Sequence, residues 1–305
     1  MSTSWNIQEK TVVVTGGTKG IGYETARELA ARGATVINVG RDATRGADAV
    51  ASIQHQTGKT TVSFLQADLS NLAEVRRLAA HIIAHVPQVH VLVNNAGGSN
   101  AQRKVTAAGL ETTFVTNHLS PFLLTNLLLP VLKASAPARI VNVSTGLHRS
   151  AHIDFDDLQS ERDYDQRHAY GQAKLANLFF TYALARRLRG TTVTVNAADP
   201  LATKRGANAM PSSLPLAIRL ILPLLKPFLT TGRAAQSSIY LASSPAVEGL
   251  TGAYVNVWRK SIRSSPASYD EATAEKVWRV SIELTGLEEK SLSHEETGVI
   301  LKRGG

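Results

Sequence analysis

"TGGTKGIG", residues 15–22, follows the β-branched run "TVVV" and precedes "YETARELAARG" (23–33), whose apolar residues recur at helical spacing up to a glycine stop. The order is strand, glycine turn, helix. Gly16 and Gly20 permit a tight turn and close backbone approach, and Gly22 permits close helix–strand packing. The helix N-terminus then offers free N–H groups and the positive end of its dipole to a pyrophosphate. A glycine turn alone is weak evidence. At the head of a chain that alternates strand and helix, it predicts a dinucleotide site.

Outward from this turn the alternation continues. "TVINVG" (35–40) reads as a strand, "DAVASIQHQTG" (48–58) as a helix, "TVSFLQADLS" (61–70) as a strand, "NLAEVRRLAAHIIAHV" (71–86) as a helix and "VHVLVNNAGG" (89–98) as a strand. A long helix over 110–135 tolerates Pro121; "RIVNVS" (139–144) is a fifth strand, 170–188 a long amphipathic helix and "TVTVNAADP" (192–200) a sixth strand. "AAQSSIYLASS" is a further helix and "GAYVNVW" (252–258) a seventh strand. The pattern predicts a single-domain α/β Rossmann fold: a doubly wound, seven-stranded parallel sheet with helices on both faces and a core over about 8–260. Ligands in such sheets bind at the carboxyl ends of the strands, which here carry Gly, Asn, Asp and Ser/Thr.

The 305 residues are 43% hydrophobic, enough for a full core, and no linker or repeat divides them. The absence of cysteine excludes disulfides, thiolate catalysis and cysteine metal sites. "MSTSWNIQEK" lacks the basic and apolar regions of a signal peptide, so a cytoplasmic protein is expected. "SSLPLAIRLILPLLKPFLTT" (212–231) is the most membrane-like stretch, but it holds Arg219, Lys226 and three prolines. A charge at mid-bilayer costs about 2.5–3.5 kcal/mol, so no membrane span is expected. The net charge is +9, yet the basic residues are dispersed without a stripe, which argues against nucleic-acid binding.

The second strand selects the cofactor. An NAD site usually ends this strand with an acid on the ribose 2′-OH. Here it ends "NVGRD": Gly40 stands at the acid's place and Arg41 follows, with Lys19 inside the glycine turn and Asp42 nearby. Two cations and no acid suit a 2′-phosphate, and NADP(H) is expected.

"YGQAK" sets Tyr170 and Lys174 four residues apart on one helix face. A phenol with pKa near 10 is a poor acid–base group at neutral pH; a neighbouring ammonium and an oxidised nicotinamide would both draw it down. With "TGGTKGIG", "ADL" (67–69), "NNAG" (94–97), Asn117 in "TNHLSPFLLT" and "VNVST", the sequence resembles the short-chain dehydrogenase/reductase family over about residues 8–260. "FDDLQSERDY", "AYGQAKLANLFF" and "SSPASYDEATAEKVWRVSIELTGL" (264–287) resemble its retinol dehydrogenase-like branch.

The resemblance implies roles. Tyr170 would exchange the proton, Lys174 would hold the ribose and lower the Tyr pKa, and Asn117 would hold a relay water or else bend the helix. Asp68 would meet the adenine and Asn95 the cofactor ribose, or both would cap turns; Gly97 would form the turn beneath. Thr18, Ile21, Leu69, Ala96 and Pro200 complete the expected cofactor contacts. The family usually reads "NVSS" with the second hydroxyl catalytic, which assigns Thr145 to polarise the substrate carbonyl; Ser144 is the alternative. Leu201 replaces a usual glycine, so Thr203 as a carboxamide ligand is in a shifted register. The stretch between Thr145 and Tyr170 is about a dozen residues longer than in the main branch and precedes a helix through which many members dimerise, which implies a monomer or an atypical homodimer. The apolar segment 204–231 takes the place of the substrate lid, and 261–305 is a C-terminal extension. The expected substrate is a lipophilic or polycyclic carbonyl or alcohol, as in natural-product tailoring. Retinoid or steroid dehydrogenation is the alternative, and a non-catalytic NADP(H) sensor the rival from another class.

Overall fold

The order along the sheet of the computed structural model is β3-β2-β1-β4-β5-β6-β7-β8, and the structure describes residues 5–200 and 230–288. The strands are β1 (Thr11–Thr15), β2 (Thr35–Gly40), β3 (Val62–Gln66), β4 (Val91–Asn94), β5 (Ala138–Val143), β6 (Val193–Ala198), β7 (Tyr254–Val255) and β8 (Ser261–Ile262). The first seven pair in parallel, with Val13 opposite Ile37 and Leu92, and the chain order reverses between β1 and β4. The helices are α1 (Gly20–Ala31), α2 (Ala43–Thr57), α3 (Leu72–His85), α4 (Thr112–Ala134), α5 (Gln166–Arg187), α6 (Gln236–Ser243) and α7 (Glu271–Thr285). The expected single α/β domain is thus present.

Two apolar layers follow from the strand period of two. Val12 and Val14 face α1, α2 and α6 with Leu29, Ile53 and Leu241; Val13 faces the other way, with Leu78, Phe122, Phe179 and Trp278 from α3, α4, α5 and α7. Each of these buried side chains stabilises the fold by about 1.5–3 kcal/mol. A polar line crosses the second layer. Asn94 donates to Thr125 (2.9 Å) and to Asn142 (2.8 Å), and Asn142 donates to Thr181 (2.9 Å), joining α4, β4, β5 and α5.

Two expectations are corrected. An eighth strand is present, antiparallel to β7. Its two residues are too short to give a periodic signal; a turn at Asn256–Lys260, with Arg259 at φ 62°, folds it back. The long helix begins at Thr112 rather than 110, because the Glu111 side chain caps it by accepting from the Thr113 and Phe114 N–H groups. It also contains a wide π turn over Val115–Leu119. Within the C-terminal extension, α7, capped by Asp270, docks Trp278 onto Phe122 and Phe180. One described helix, Thr112–Ala134, is apolar and long enough to cross a membrane, but 78% of its apolar window is buried in the core. Residues 201–229, which hold most of the expected lid, lie outside the described residues, as do 289–305.

Candidate active site

The glycine turn is a close-packed cradle. Gly16 has φ 66°, and a Cβ there would lie 3.0 Å from Ala96 Cα and from Asn95 Nδ2. A Cβ on Gly22 would lie 2.3 Å from Gly16 O. Gly20, at φ 60°, meets nothing within 4 Å, so the turn's outer side is open where α1 begins. Lys19 precedes α1 without capping it through its side chain, so the first-turn N–H groups stay available to an anion. Asn95 braces the turn from below: its Nδ2 donates to Thr15 O (2.9 Å) and its backbone N–H to Thr15 Oγ1 (3.0 Å). This donor set fits a pyrophosphate.

At the end of β2, a Cβ on Gly40 would come within 3.0 Å of the Thr18 methyl, so a side chain at the acid's place would be tightly packed. Asp42 accepts from the Arg45 N–H and pairs with the Arg45 guanidinium, capping α2. Lys19 and Arg41 are exposed and form no ion pair among the described residues. Asp68 accepts from Ser70 N (2.9 Å) and Ser70 Oγ (2.8 Å), the turn-capping alternative. Leu69 is buried beneath it, and its carbonyl accepts from Ser120 Oγ. Thr18, Ile21 and Ala96 are half-buried along the turn, and Pro200 is buried beyond β6. Thr203 and Leu201 lie outside the described residues.

Asn117, Gly97 and Lys174 meet. Asn117 lies in the π turn, fully buried. Its Nδ2 donates to Thr113 O and Gly98 O, both at 2.7 Å, and its Oδ1 accepts from Gly98 N (3.1 Å). The helix-bending contact is therefore present, and the same amide fixes the turn after β4. A Cβ on Gly97 would lie 2.4 Å from Asn117 Oδ1 and 3.3 Å from Lys174 Nζ. Lys174 Nζ donates to Val143 O (2.8 Å), at the end of the strand that leads to Ser144 and Thr145, and sits 5.7 Å from the Tyr170 ring centroid.

Burial pushes the Tyr170 phenol up to about 12 and pulls Lys174 down to about 8. The lowering of the phenol expected from Lys174 and an oxidised nicotinamide together concerns the cofactor-bound site; in the chain alone, burial acts the other way. Lys174 Nζ lies near the ring rather than on the phenol oxygen and directs its bond to Val143 O.

The two adjacent hydroxyls differ. Thr145 is half-buried and accepts weakly from Leu147 N (3.5 Å) at the start of a single 3-10 turn, Gly146–Ser150. Ser144 is buried, and among the described residues its Oγ has no hydrogen-bond partner; the local backbone bond expected as its structural role is not found there. Sequence reasoning missed His148, buried in that 3-10 turn, and Tyr254 and Ser265 around it. Of the three, Ser265 lay in the quoted "SSPASY" stretch and Tyr254 in "GAYVNVW", while His148 carried no signal of its own.

A family model described as short chain dehydrogenase matches residues 10–213. Retinol dehydrogenase 12 from Homo sapiens is 42% identical over 285 residues, covering 93% of this chain and 89% of that one. Retinol dehydrogenase 14 from Homo sapiens is 39% identical over 295 residues, covering 91% and 87%. The crystal structure of an uncharacterised protein from Mycobacterium paratuberculosis matches with a TM-score of 0.73 at 33% identity, over 93% of this chain and 98% of that one. A short chain dehydrogenase from Shigella flexneri 2a, solved in complex with NADP, has the same fold at a TM-score of 0.65 and 22% identity, over 84% and 100%.

Proposed function

The chain belongs to the short chain dehydrogenase family, oxidoreductases that use NAD(P)(H), within its retinol dehydrogenase-like branch, and from that premise we propose an NADP(H)-dependent reductase of lipophilic ketones or aldehydes. The observation that carries this reading is the junction of Gly97, Asn117 and Lys174, with Lys174 tied to the strand end before Thr145 and Tyr170 one turn away on α5. The cofactor, when bound, supplies the hydride. The chain's own residues manage the proton. Thr145 donates a hydrogen bond to the substrate oxygen, and Tyr170 passes its phenol proton to that oxygen as the carbonyl becomes an alcohol. Reduction as the working direction is the reading we propose, with Tyr170 protonated before hydride transfer. Lys174 holds a positive charge beside the phenolate that remains, and Asn117 keeps the Gly97–Gly98 turn in place.

NADP(H) over NAD(H) is supported by the crowded Gly40, by Asp42 committed to α2 and by the unpaired exposed Lys19 and Arg41. A retinoid substrate is the second reading, favoured by the identity to retinol dehydrogenase 12. We further propose a soluble, cytoplasmic enzyme, supported by the absence of cysteine, and a monomer or atypical homodimer. The test is NADPH and NADH oxidation against all-trans-retinal, aryl ketones and aromatic polyketide ketones. Turnover favouring NADPH is expected, with a loss of at least about a thousandfold in Tyr170→Phe. Tight NADPH binding without turnover on any carbonyl would favour the sensor instead.

A further inference from the structure

The 3-10 turn that carries Thr145 is held by one buried side chain outside the proposed chemistry. His148 Nδ1 lies 2.6 Å from Thr145 O, and His148 Nε2 lies 3.0 Å from the backbone N of Ser265. A carbonyl only accepts and an amide N–H only donates. The imidazole is therefore neutral, with its proton on Nδ1 and its lone pair on Nε2. The ring is fully buried and stands edge-on to Tyr254, with centroids 5.2 Å apart.

Ser265 belongs to a strap, residues 263–269, that is fastened elsewhere. Ser264 Oγ bonds Tyr182 Oη (2.7 Å) and Ser268 Oγ (2.6 Å), and the Ser264 N–H donates to Tyr269 Oη (3.1 Å). Tyr182 lies on α5, the helix that carries Tyr170 and Lys174. Arg149 adds a bond to Arg263 O at 2.6 Å. The strap thus joins α5 to the turn after β5, and His148 is the joint nearest Thr145.

We propose that His148 is a positioning residue that fixes the Thr145 hydroxyl relative to Tyr170 by locking the Thr145 turn to the strap at Ser265. The proposal rests on the reductase reading for its catalytic consequence. A hydroxyl misplaced by about 1 Å can cost on the order of a hundredfold in rate, so a joint of this kind acts on kcat. His148→Phe keeps the ring and loses both bonds. His148→Asn keeps an amide donor near the Nδ1 position and so retains the bond to Thr145 O.

The groups around the ring define its acid behaviour. Burial and Arg149 draw the imidazole below its ordinary value, while the Thr145 carbonyl and Asp199 act against them; the Tyr254 ring and the Ser265 N–H complete its surroundings. Protonation would oppose an Nε2–H to the Ser265 N–H, so the joint holds at neutral pH and opens only in acid.

The experiment pairs kinetics with hydrogen exchange, using NADPH and all-trans-retinal as the probe. In His148→Phe, kcat is expected to fall about 10- to 100-fold with the KM for NADPH nearly unchanged, and His148→Asn recovers part of the loss. In a Thr145→Ala background the His148→Phe change should add little, because both act through one hydroxyl. Independently of turnover, backbone amides in 144–151 and 263–269 should lose protection together in His148→Phe. Full kcat in His148→Phe, an equal further loss in the Thr145→Ala background, or unchanged protection of 263–269 would each overturn the proposal. A Tyr170→Phe enzyme that still turns over would instead defeat the reductase reading and leave the exchange result to judge the joint.

Discussion

Position 97 turns packing into chemistry more directly than any other in the glycine turns. A methyl there would strike Asn117 Oδ1, and Asn117 cannot swing aside, because its amide is already bonded to Gly98 N, Gly98 O and Thr113 O. Gly97→Ala should lower kcat by about 10- to 100-fold through displacement of Asn117 and Lys174. Gly98 is the control, since a Cβ there meets nothing within 4 Å and its φ is not in the left-handed region. Steady-state kinetics on the two variants decides; equal activity in both would mean that the junction does not matter. Much at this scale was readable in the sequence. Gly16, Gly20 and Gly22 announce their turn by spacing, and Tyr170 and Lys174 share a face by the helical period. The bond of Asn117 to Thr113 O, four residues back, was within reach of the sequence; its bonds to Gly98 and the isolation of the Ser144 hydroxyl among the described residues were not, because they depend on segments distant along the chain.

Among the elements, α4 shows why a helix can be legible while its function is not. Its apolar run marks it clearly, yet the π turn inside it leaves no periodic trace. That turn also holds His118, one residue beyond Asn117. The His118 ring is fully buried among Phe114, Phe122 and Phe180, with Nε2 bonded to Ser281 Oγ of α7 at 2.7 Å. Burial lowers its pKa to about 3, far below the ordinary 6.5. The sign follows directly: between pH 6.5 and 3 the unfolded chain takes up a proton that the folded chain refuses. The contribution is complete above pH 6.5 and is lost as pH falls, at roughly 1.4 kcal/mol per unit. His118→Phe should therefore flatten the fall in stability between pH 6.5 and 4, as measured by urea unfolding at several pH values. Parallel curves for the two proteins would show that another group governs the acid limit. β7 was legible within 252–258, but β8 was not, since a two-residue strand is defined by its partner.

For the whole molecule, the C-terminal segment decides which surfaces stay free. Trp278 of α7 packs edge-on against Phe122 of α4 at 5.0 Å, lies 5.9 Å from Phe180 of α5 and is covered by the Arg187 guanidinium at 3.9 Å. Arg187 also bonds Glu275 of α7 at 2.9 Å. The insertion before α5 joins the same layer: Ile153, Phe155 and Leu158 pack onto the core, and Lys276 of α7 lies 3.8 Å over the Phe155 ring. A second copy seeking this part of α4 and α5 would meet α7 first. This cover supports the proposed monomer or atypical dimer, and light scattering returning a tetramer would contradict it. Trp278→Ala tests the cover itself. Removing a buried Trp costs about 3–5 kcal/mol, and here it would open Phe122 and Phe180 to solvent. The variant should melt several degrees lower and should associate as concentration rises, while the parent protein keeps one size across the same range. An unchanged melting temperature would mean that α7 is dispensable to the core, and unchanged size with lowered stability would mean that the α4–α5 face does not self-associate even when uncovered.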